Sequence, residues 1–208
     1  MKLNYHNEEK LNALSHAIGI VLGIFGFYFL IKLDGHKSEY STISVIVYSI
    51  SIILLFTAST LYHYVSSHSL KMNLRVLDHI SIYYLIAGTY TPVALITLSE
   101  GNGWTILYAV WGIAVAGTFL KLFFTGRFEV LSLLLYLFMG WLIVFDLRNL
   151  LSSTSTLGLY LLLLGGAFYT IGIFFYAFKR IPHNHLIWHF FVLGGAVSHW
   201  LYIAFAVV

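Results

Sequence analysis

The chain contains no cysteine among its 208 residues, and only 9% of its residues are charged. The absence of cysteine excludes disulfide bonds and thiolate ligands, so a metal ion could be bound only by imidazole, carboxylate, hydroxyl or water. A soluble domain has roughly 25% charged residues, and this chain falls far below that level. With 60% hydrophobic residues and a mean hydropathy of +0.87, the composition predicts an integral membrane protein.

Apolar runs long enough to cross a bilayer account for nearly the whole sequence. Because a transmembrane helix needs about 20 apolar residues, the chain has room for about seven spans and no further domain. We therefore predict an all-α bundle of seven transmembrane helices that forms a single domain over residues 1–208. Pro92 lies inside the third span, where we expect it to kink the helix rather than break it. The predicted spans are approximately 15–33, 42–65, 78–98, 104–124, 130–149, 157–178 and 185–207.

Lysine and arginine are distributed unequally between the two sides of the predicted bundle. Three of them belong to one side, and the other eight, at the opposite side, are Lys2, Lys10, Lys71, Arg75, Lys121, Arg127, Lys179 and Arg180. The positive-inside rule therefore predicts a cytoplasmic N-terminus and an extracytoplasmic C-terminus. Since these residues lie in short loops between apolar runs, we interpret them as determinants of orientation and predict no nucleic-acid site.

Three histidines are predicted to meet at the cytoplasmic side. His185 and His189 are four residues apart, so both imidazoles project from one face of the last helix. His63, at the end of the second helix, can supply a third nitrogen at the same level. Three histidines leave one coordination position for water, as in catalytic zinc sites. Because the ligands are imidazoles and no redox-specific ligand set is present, we favour zinc.

Two further polar residues are predicted to lie beside this metal. Ser59 precedes His63 by one helical turn, and Asp78 stands at the start of the third predicted span. A carboxylate at the edge of the hydrocarbon is costly unless it is paired, and it could deprotonate a water on the metal. Asp78 could instead pair with Arg75 or cap its helix.

The histidines also allow other interpretations. Interfacial histidines often only form hydrogen bonds at the headgroup level. Paired histidines can hold haem, but the ligands must then face each other from opposing helices, so we favour a metal ion. His199 would lie about 15 Å along the helix from His189, and we predict that it is a core histidine rather than a ligand of the same ion. No special role is predicted for His6, His36, His68, His79 and His183.

The order of the motifs resembles a known family. The first motif, an ExxNxxxH pattern at the entry to the first span, comprises Glu9, Asn12 and His16. An SxxxH pattern from Ser59, a Leu-Asp-His sequence around Asp78 and an HxxxH pattern from His185 follow. Over nearly the whole chain this order is similar to the bacterial hemolysin III family, within the progestin and adipoQ receptor superfamily.

The resemblance implies a multi-pass protein of a bacterial inner or plasma membrane that holds zinc through His63, His185 and His189, with Asp78 and Ser59 beside the metal. Kinship with membrane alkaline ceramidases implies hydrolysis of a lipid amide, so the expected partners are membrane lipids. One alternative is a non-catalytic, receptor-like regulator of membrane homeostasis with a structural zinc. The family's name suggests cytolysis, which we discount as a primary role, because a secreted toxin must pass from a soluble to an embedded form.

Overall fold

The computed structural model describes residues 5–208, with side chains from residue 7 onward. Lys2, one of the basic residues behind the predicted orientation, and the side chain of His6 lie outside the described residues. Between residues 5 and 208 the chain is helical and contains no strand. Seven helical segments are long and apolar enough to cross a membrane, which confirms the predicted all-α fold. The orientation of the termini stays a prediction.

Six of the seven spans begin with one long helix, and the fifth contains two shorter ones. The helices are α1 (Tyr5–Leu33), α2 (Ser41–Tyr64), α3 (His68–Pro92), α4 (Gly103–Phe124), α5 (Glu129–Gly140), α6 (Leu147–Ser153), α7 (Thr156–Ala177) and α8 (Asn184–Tyr202). A 3₁₀ segment, Leu142–Asp146, joins α5 to α6, and the π-helical turns Val93–Thr97 and Ile203–Val207 extend α3 and α8. Lipid offers no partners to backbone groups, so helical hydrogen bonding is what allows these apolar segments to span.

Two helices begin earlier than the apolar pattern predicts. The first predicted span starts at residue 15, whereas α1 begins at Tyr5; the third starts at residue 78, whereas α3 begins at His68. Hydropathy detects only the part of a helix that lies in hydrocarbon, and backbone hydrogen bonding continues beyond it. Asp78 therefore lies well inside α3 and does not cap it. The chain stays helical beyond Pro92, as predicted, although the pattern changes there from α to π.

The bundle is organised around α3, whose apolar stretch is 67% buried, whereas that of the peripheral α7 is 17% buried. α2 packs between α1 and α3, and α8 packs between α1 and α7. Large buried aromatic residues such as Tyr48, Phe56 and Tyr83 fill the core. The starts of α1, α3 and α8 and the end of α2 meet at one end of the molecule, which we call the N-terminal end of the bundle.

Candidate metal centre

Three histidines from two helices meet at the N-terminal end of the bundle. His63 lies in the last turn of α2, and His185 and His189 lie in the first turns of α8. The Nε2 atoms of His63 and His185 are 3.2 Å apart, and one ring nitrogen from each of the three residues lies within 4.8 Å of the others. His63 and His189 are buried, and His185 is half-buried. Three imidazoles at these distances could hold a metal ion.

Hydrogen bonds to α1 orient two of the three imidazoles. The Nδ1–H of His63 donates to the Glu9 carboxylate at 3.3 Å, and the Nδ1–H of His189 donates to the Asn12 carbonyl at 3.2 Å. A carbonyl or an ionised carboxylate can only accept, so the proton of each ring belongs on Nδ1 and the lone pair on Nε2. Metal-ligating histidines are commonly held in this way, because the outer hydrogen bond fixes both the tautomer and the ring orientation.

Lys71 holds the Glu9 carboxylate from the opposite side. Its ammonium group donates to the second carboxylate oxygen of Glu9 and to the Tyr62 carbonyl at 3.1 Å. The same ammonium lies 4.8 Å from the centre of the Tyr62 ring. Glu9 is thus fixed between a cation and the His63 imidazole, and it connects α1 to α2 and α3.

Ser15 and His16 complete the environment of His189. The Ser15 hydroxyl donates to the Asn12 carbonyl at 2.8 Å and lies 3.1 Å from His189 Nδ1. The His16 ring stacks on the His189 ring with 3.7 Å between the centroids. His16 is buried, and neither of its nitrogens has a hydrogen-bond partner among the described residues. The sequence pattern singled out Glu9, Asn12 and His16 without assigning their roles, and it gave no signal for Ser15.

Ser59 and Asp78 lie beside the histidines at the head of an internal cavity. The Ser59 hydroxyl is within hydrogen-bonding reach of the Asp78 carboxyl, and Asp78 is close enough to His63 for a direct electrostatic interaction. Arg75, the alternative partner that the sequence allowed for Asp78, donates to Glu129 of α5 at 3.3 Å. The carboxyl therefore has a hydroxyl and a histidine as neighbours at the cluster, and Arg75 also acts on it electrostatically.

His79, for which the sequence predicted no special role, belongs to a second group of ionisable side chains. It is buried in α3 with 8% of its surface exposed, and its Nδ1 lies 3.9 Å from the Glu129 carboxylate. The buried Lys121 donates to the same carboxylate at 3.0 Å. His183 does lie in a loop, 3.5 Å from Glu8. Sequence spacing could not find the His79 group, because its members come from three different helices.

The cavity has a volume of about 270 Å³ and runs from the histidines into the membrane-spanning part of the bundle. Ser59, Asp78, His185 and His189 line its head, and His199 lies further along α8. Most of the remaining lining is apolar and combines aliphatic side chains, such as those at positions 82, 85, 133, 173 and 192, with aromatic ones, such as those at positions 90, 141 and 188. The site therefore combines a polar head, rich in metal-ligand chemistry, with an apolar body.

The chain is similar to known proteins over nearly its whole length. A family model described as "Haemolysin-III related" matches residues 4–200. The chain is 42% identical to the Hemolysin-3 homolog of Bacillus subtilis (strain 168), covering 95% of this chain and 93% of the relative. It is 41% identical to Hemolysin-3 of Bacillus cereus, covering 97% and 92%.

A more distant relative comes from animals. The human Monocyte to macrophage differentiation factor is 31% identical, covering 93% of this chain and 82% of the relative. No solved structure matches the chain. With seven membrane-spanning helices, a family match from residue 4 to residue 200 and relatives above 40% identity, the chain belongs to the haemolysin-III-related family of multi-pass membrane proteins.

Proposed function

We propose that this protein is a zinc-dependent hydrolase that cleaves a lipid amide within the membrane. The observation that carries the proposal is the meeting of the three histidines with Ser59 and Asp78 at the head of an apolar cavity. A structural metal site has no need of a carboxylate, a hydroxyl and an elongated apolar space beside it. A hydrolase acting on a long-chain lipid needs all three.

The donor set fits zinc. Two nitrogens bound at about 2.0 to 2.1 Å in a tetrahedral arrangement are about 3.3 Å apart, and the Nε2 atoms of His63 and His185 are 3.2 Å apart. The outward-facing Nδ1 atoms of His63 and His189 are already engaged by Glu9 and Asn12, so Nε2 is the available ligand atom in both rings. Neutral imidazoles without thiolates suit zinc among the common divalent ions.

The residues around the histidines can divide the chemistry of hydrolysis between them. A bound zinc ion would polarise the substrate carbonyl and lower the pKa of a water molecule. The Asp78 carboxylate would accept a proton from the attacking water molecule as the water oxygen bonds to the carbonyl carbon, and it would return that proton to the amine nitrogen as the carbon–nitrogen bond breaks. The Ser59 hydroxyl donates a hydrogen bond to the carbonyl oxygen while negative charge develops there.

The cavity suggests how a lipid reaches this chemistry. Gly140 of α5 and Gly166 of α7 both line the cavity, and a side-chain carbon at either position would meet no atom within 4 Å. Open space at both glycines favours entry of an acyl chain sideways from the bilayer, between α5 and α7. The reactive amide would then lie at the histidines, with the chain in the apolar body.

Asp78→Asn tests the proposal, because an amide cannot take the proton that the carboxylate takes. The purified variant should retain its metal and its melting temperature, while turnover of a ceramide-like lipid falls by about 10² to 10⁴. Asp146→Asn is the matched control, since Asp146 is a buried carboxylate outside the cavity that accepts the Asn102 backbone N–H at 2.7 Å. Wild-type turnover in Asp78→Asn would contradict the catalytic role.

A second candidate is a non-catalytic regulator in which the metal only joins helices. It is favoured by the way the histidines tie α2 to α8 while Glu9 and Asn12 add α1. In that case Asp78→Asn should leave cellular function intact, whereas His63→Ala should lower the melting temperature. The lysis that the relatives' names imply is not assigned to this chain.

A further inference from the structure

The cavity contains a second polar position far from the histidine cluster. His199 of α8 and Tyr169 of α7 both line it, and their ring centroids are 5.4 Å apart. His199 is ten residues beyond His189 in the same helix, which places it about 15 Å from the metal-binding end at 1.5 Å per residue. Polar side chains at this depth in a membrane protein are costly, and they commonly mark a ligand pathway.

The two side chains offer complementary hydrogen-bonding groups. His199 Nε2–H donates to the Leu162 carbonyl at 3.2 Å, so its Nδ1 carries the lone pair and is an acceptor. The Tyr169 hydroxyl makes no hydrogen bond to any described residue, although Tyr48 of α2 is close enough for a direct electrostatic interaction. One acceptor and one donor are therefore available on neighbouring rings of the cavity lining.

Glycines on the facing helices make room for both rings. A side-chain carbon at Gly195 of α8 would lie 2.7 Å from Tyr169 Cζ, the atom that carries the hydroxyl. His199 occupies the equivalent position against Gly165 of α7, where an added carbon would clash with the imidazole. Because any larger residue would displace a ring, the backbone at these two positions is adapted to hold polar aromatic groups at mid-depth.

We propose that Tyr169 and His199 form a recognition site for a hydroxyl group in the middle of the lipid's acyl chain. An alcohol donates one hydrogen bond and accepts another, so it can donate to His199 Nδ1 and accept from the Tyr169 hydroxyl. A chain carbonyl could only accept and would satisfy Tyr169 alone. The preferred ligand is therefore a long-chain lipid with a mid-chain alcohol.

The spacing selects the position of that alcohol. Carbon–carbon bonds of about 1.5 Å advance an extended chain by about 1.3 Å each, so a chain whose head lies at the histidines reaches His199 near its twelfth carbon. This inference rests on the proposed function only in placing the lipid head at the histidine cluster. It requires no turnover.

Binding of free fatty acids to the metal-loaded, full-length protein in detergent tests the proposal. The dissociation constants of octadecanoate, 12-hydroxyoctadecanoate, 12-oxooctadecanoate and 2-hydroxyoctadecanoate are measured by displacement of a fluorescent fatty acid. We expect the 12-hydroxy acid to bind about tenfold more tightly than octadecanoate, as two added hydrogen bonds in an apolar site allow. The 12-oxo acid should gain less, and the 2-hydroxy acid should gain nothing from this site.

Tyr169→Phe and His199→Phe should each bring the ratio of the 12-hydroxyoctadecanoate affinity to the octadecanoate affinity, measured on the same variant, close to one. Tyr169→Phe removes only a hydroxyl, so it tests the site even if the loss of the His199 bond to Leu162 unfolds the other variant. The matched control is Thr118→Val on α4, whose hydroxyl bonds within its own helix to Ala114 and lies outside the cavity lining.

The proposal would be overturned if the wild-type protein bound octadecanoate and the 12-hydroxy acid with equal affinity. A preference that survives Tyr169→Phe would overturn it too. Neither result depends on hydrolysis. If Asp78→Asn kept wild-type turnover, the catalytic proposal would be contradicted, but the binding preference would still be tested by these affinities alone.

Discussion

Glu9→Gln should weaken metal binding although Glu9 is not itself in the histidine cluster. The carboxylate accepts a hydrogen bond from His63 Nδ1 with one oxygen and from Lys71 with the other. In the glutamine variant, Lys71 can pair only with the amide oxygen, which turns the NH₂ group toward His63. His63 Nδ1 must then accept, and its proton moves to Nε2, the atom that would bind the metal.

The magnitude follows from this change of tautomer. Loss of an outer hydrogen-bonding partner typically costs about 10-fold to 100-fold in metal affinity, or about 1.4 to 2.8 kcal/mol. We expect the upper part of that range, because Lys71 enforces the wrong orientation of the amide. Competition with a chromophoric zinc chelator, on protein purified in detergent, measures the affinity directly.

Two further variants test whether Glu9 affects metal binding through the orientation of His63. Glu8→Gln is the matched control, since Glu8 lies 3.5 Å from His183, outside the three-histidine cluster, and its loss should leave metal affinity unchanged. Adding Lys71→Met to Glu9→Gln frees the amide to rotate its oxygen toward His63, so the double variant should recover part of the affinity. An unchanged affinity in Glu9→Gln would refute the assignment of Glu9 as the group that orients His63.

Three other outcomes are expected. Elemental analysis should find one zinc per chain, most of it lost in His185→Ala; stoichiometric iron or a haem spectrum would refute the zinc assignment. A reporter fused after Val208 should be extracytoplasmic and one fused before Met1 cytoplasmic, and the reverse result would move the metal site to the other face. Glu129→Gln should lower the melting temperature more than Lys121→Met does. The glutamine variant leaves the buried Lys121 ammonium without the carboxylate to which it donates, and an unpaired buried charge typically costs about 3 to 5 kcal/mol. Equal decreases in melting temperature would argue against this pairing.

Local sequence patterns were sufficient for the class of protein and for the candidate residues. Apolar runs of span length predicted the seven membrane spans, since the thickness of the hydrocarbon sets the length of each run. The four-residue spacing of His185 and His189 predicted a shared helix face, because residues four apart lie on the same side of any α-helix, whatever packs against it. Helix starts were predicted less well. The hydropathy pattern missed the start of α3 at His68, because the first turns of this helix are too polar to be recognised as membrane-spanning.

The sequence by itself thus determined the membrane class, the number of membrane spans and a set of polar residues with metal-ligand chemistry. The tertiary structure decided which of them touch: Glu9 with His63 and Lys71, the Asn12 carbonyl with His189, and Tyr169 with His199. These contacts depend on how each helix is rotated about its axis and which helix lies beside it. Packing over many side chains sets that rotation, and no single segment encodes it.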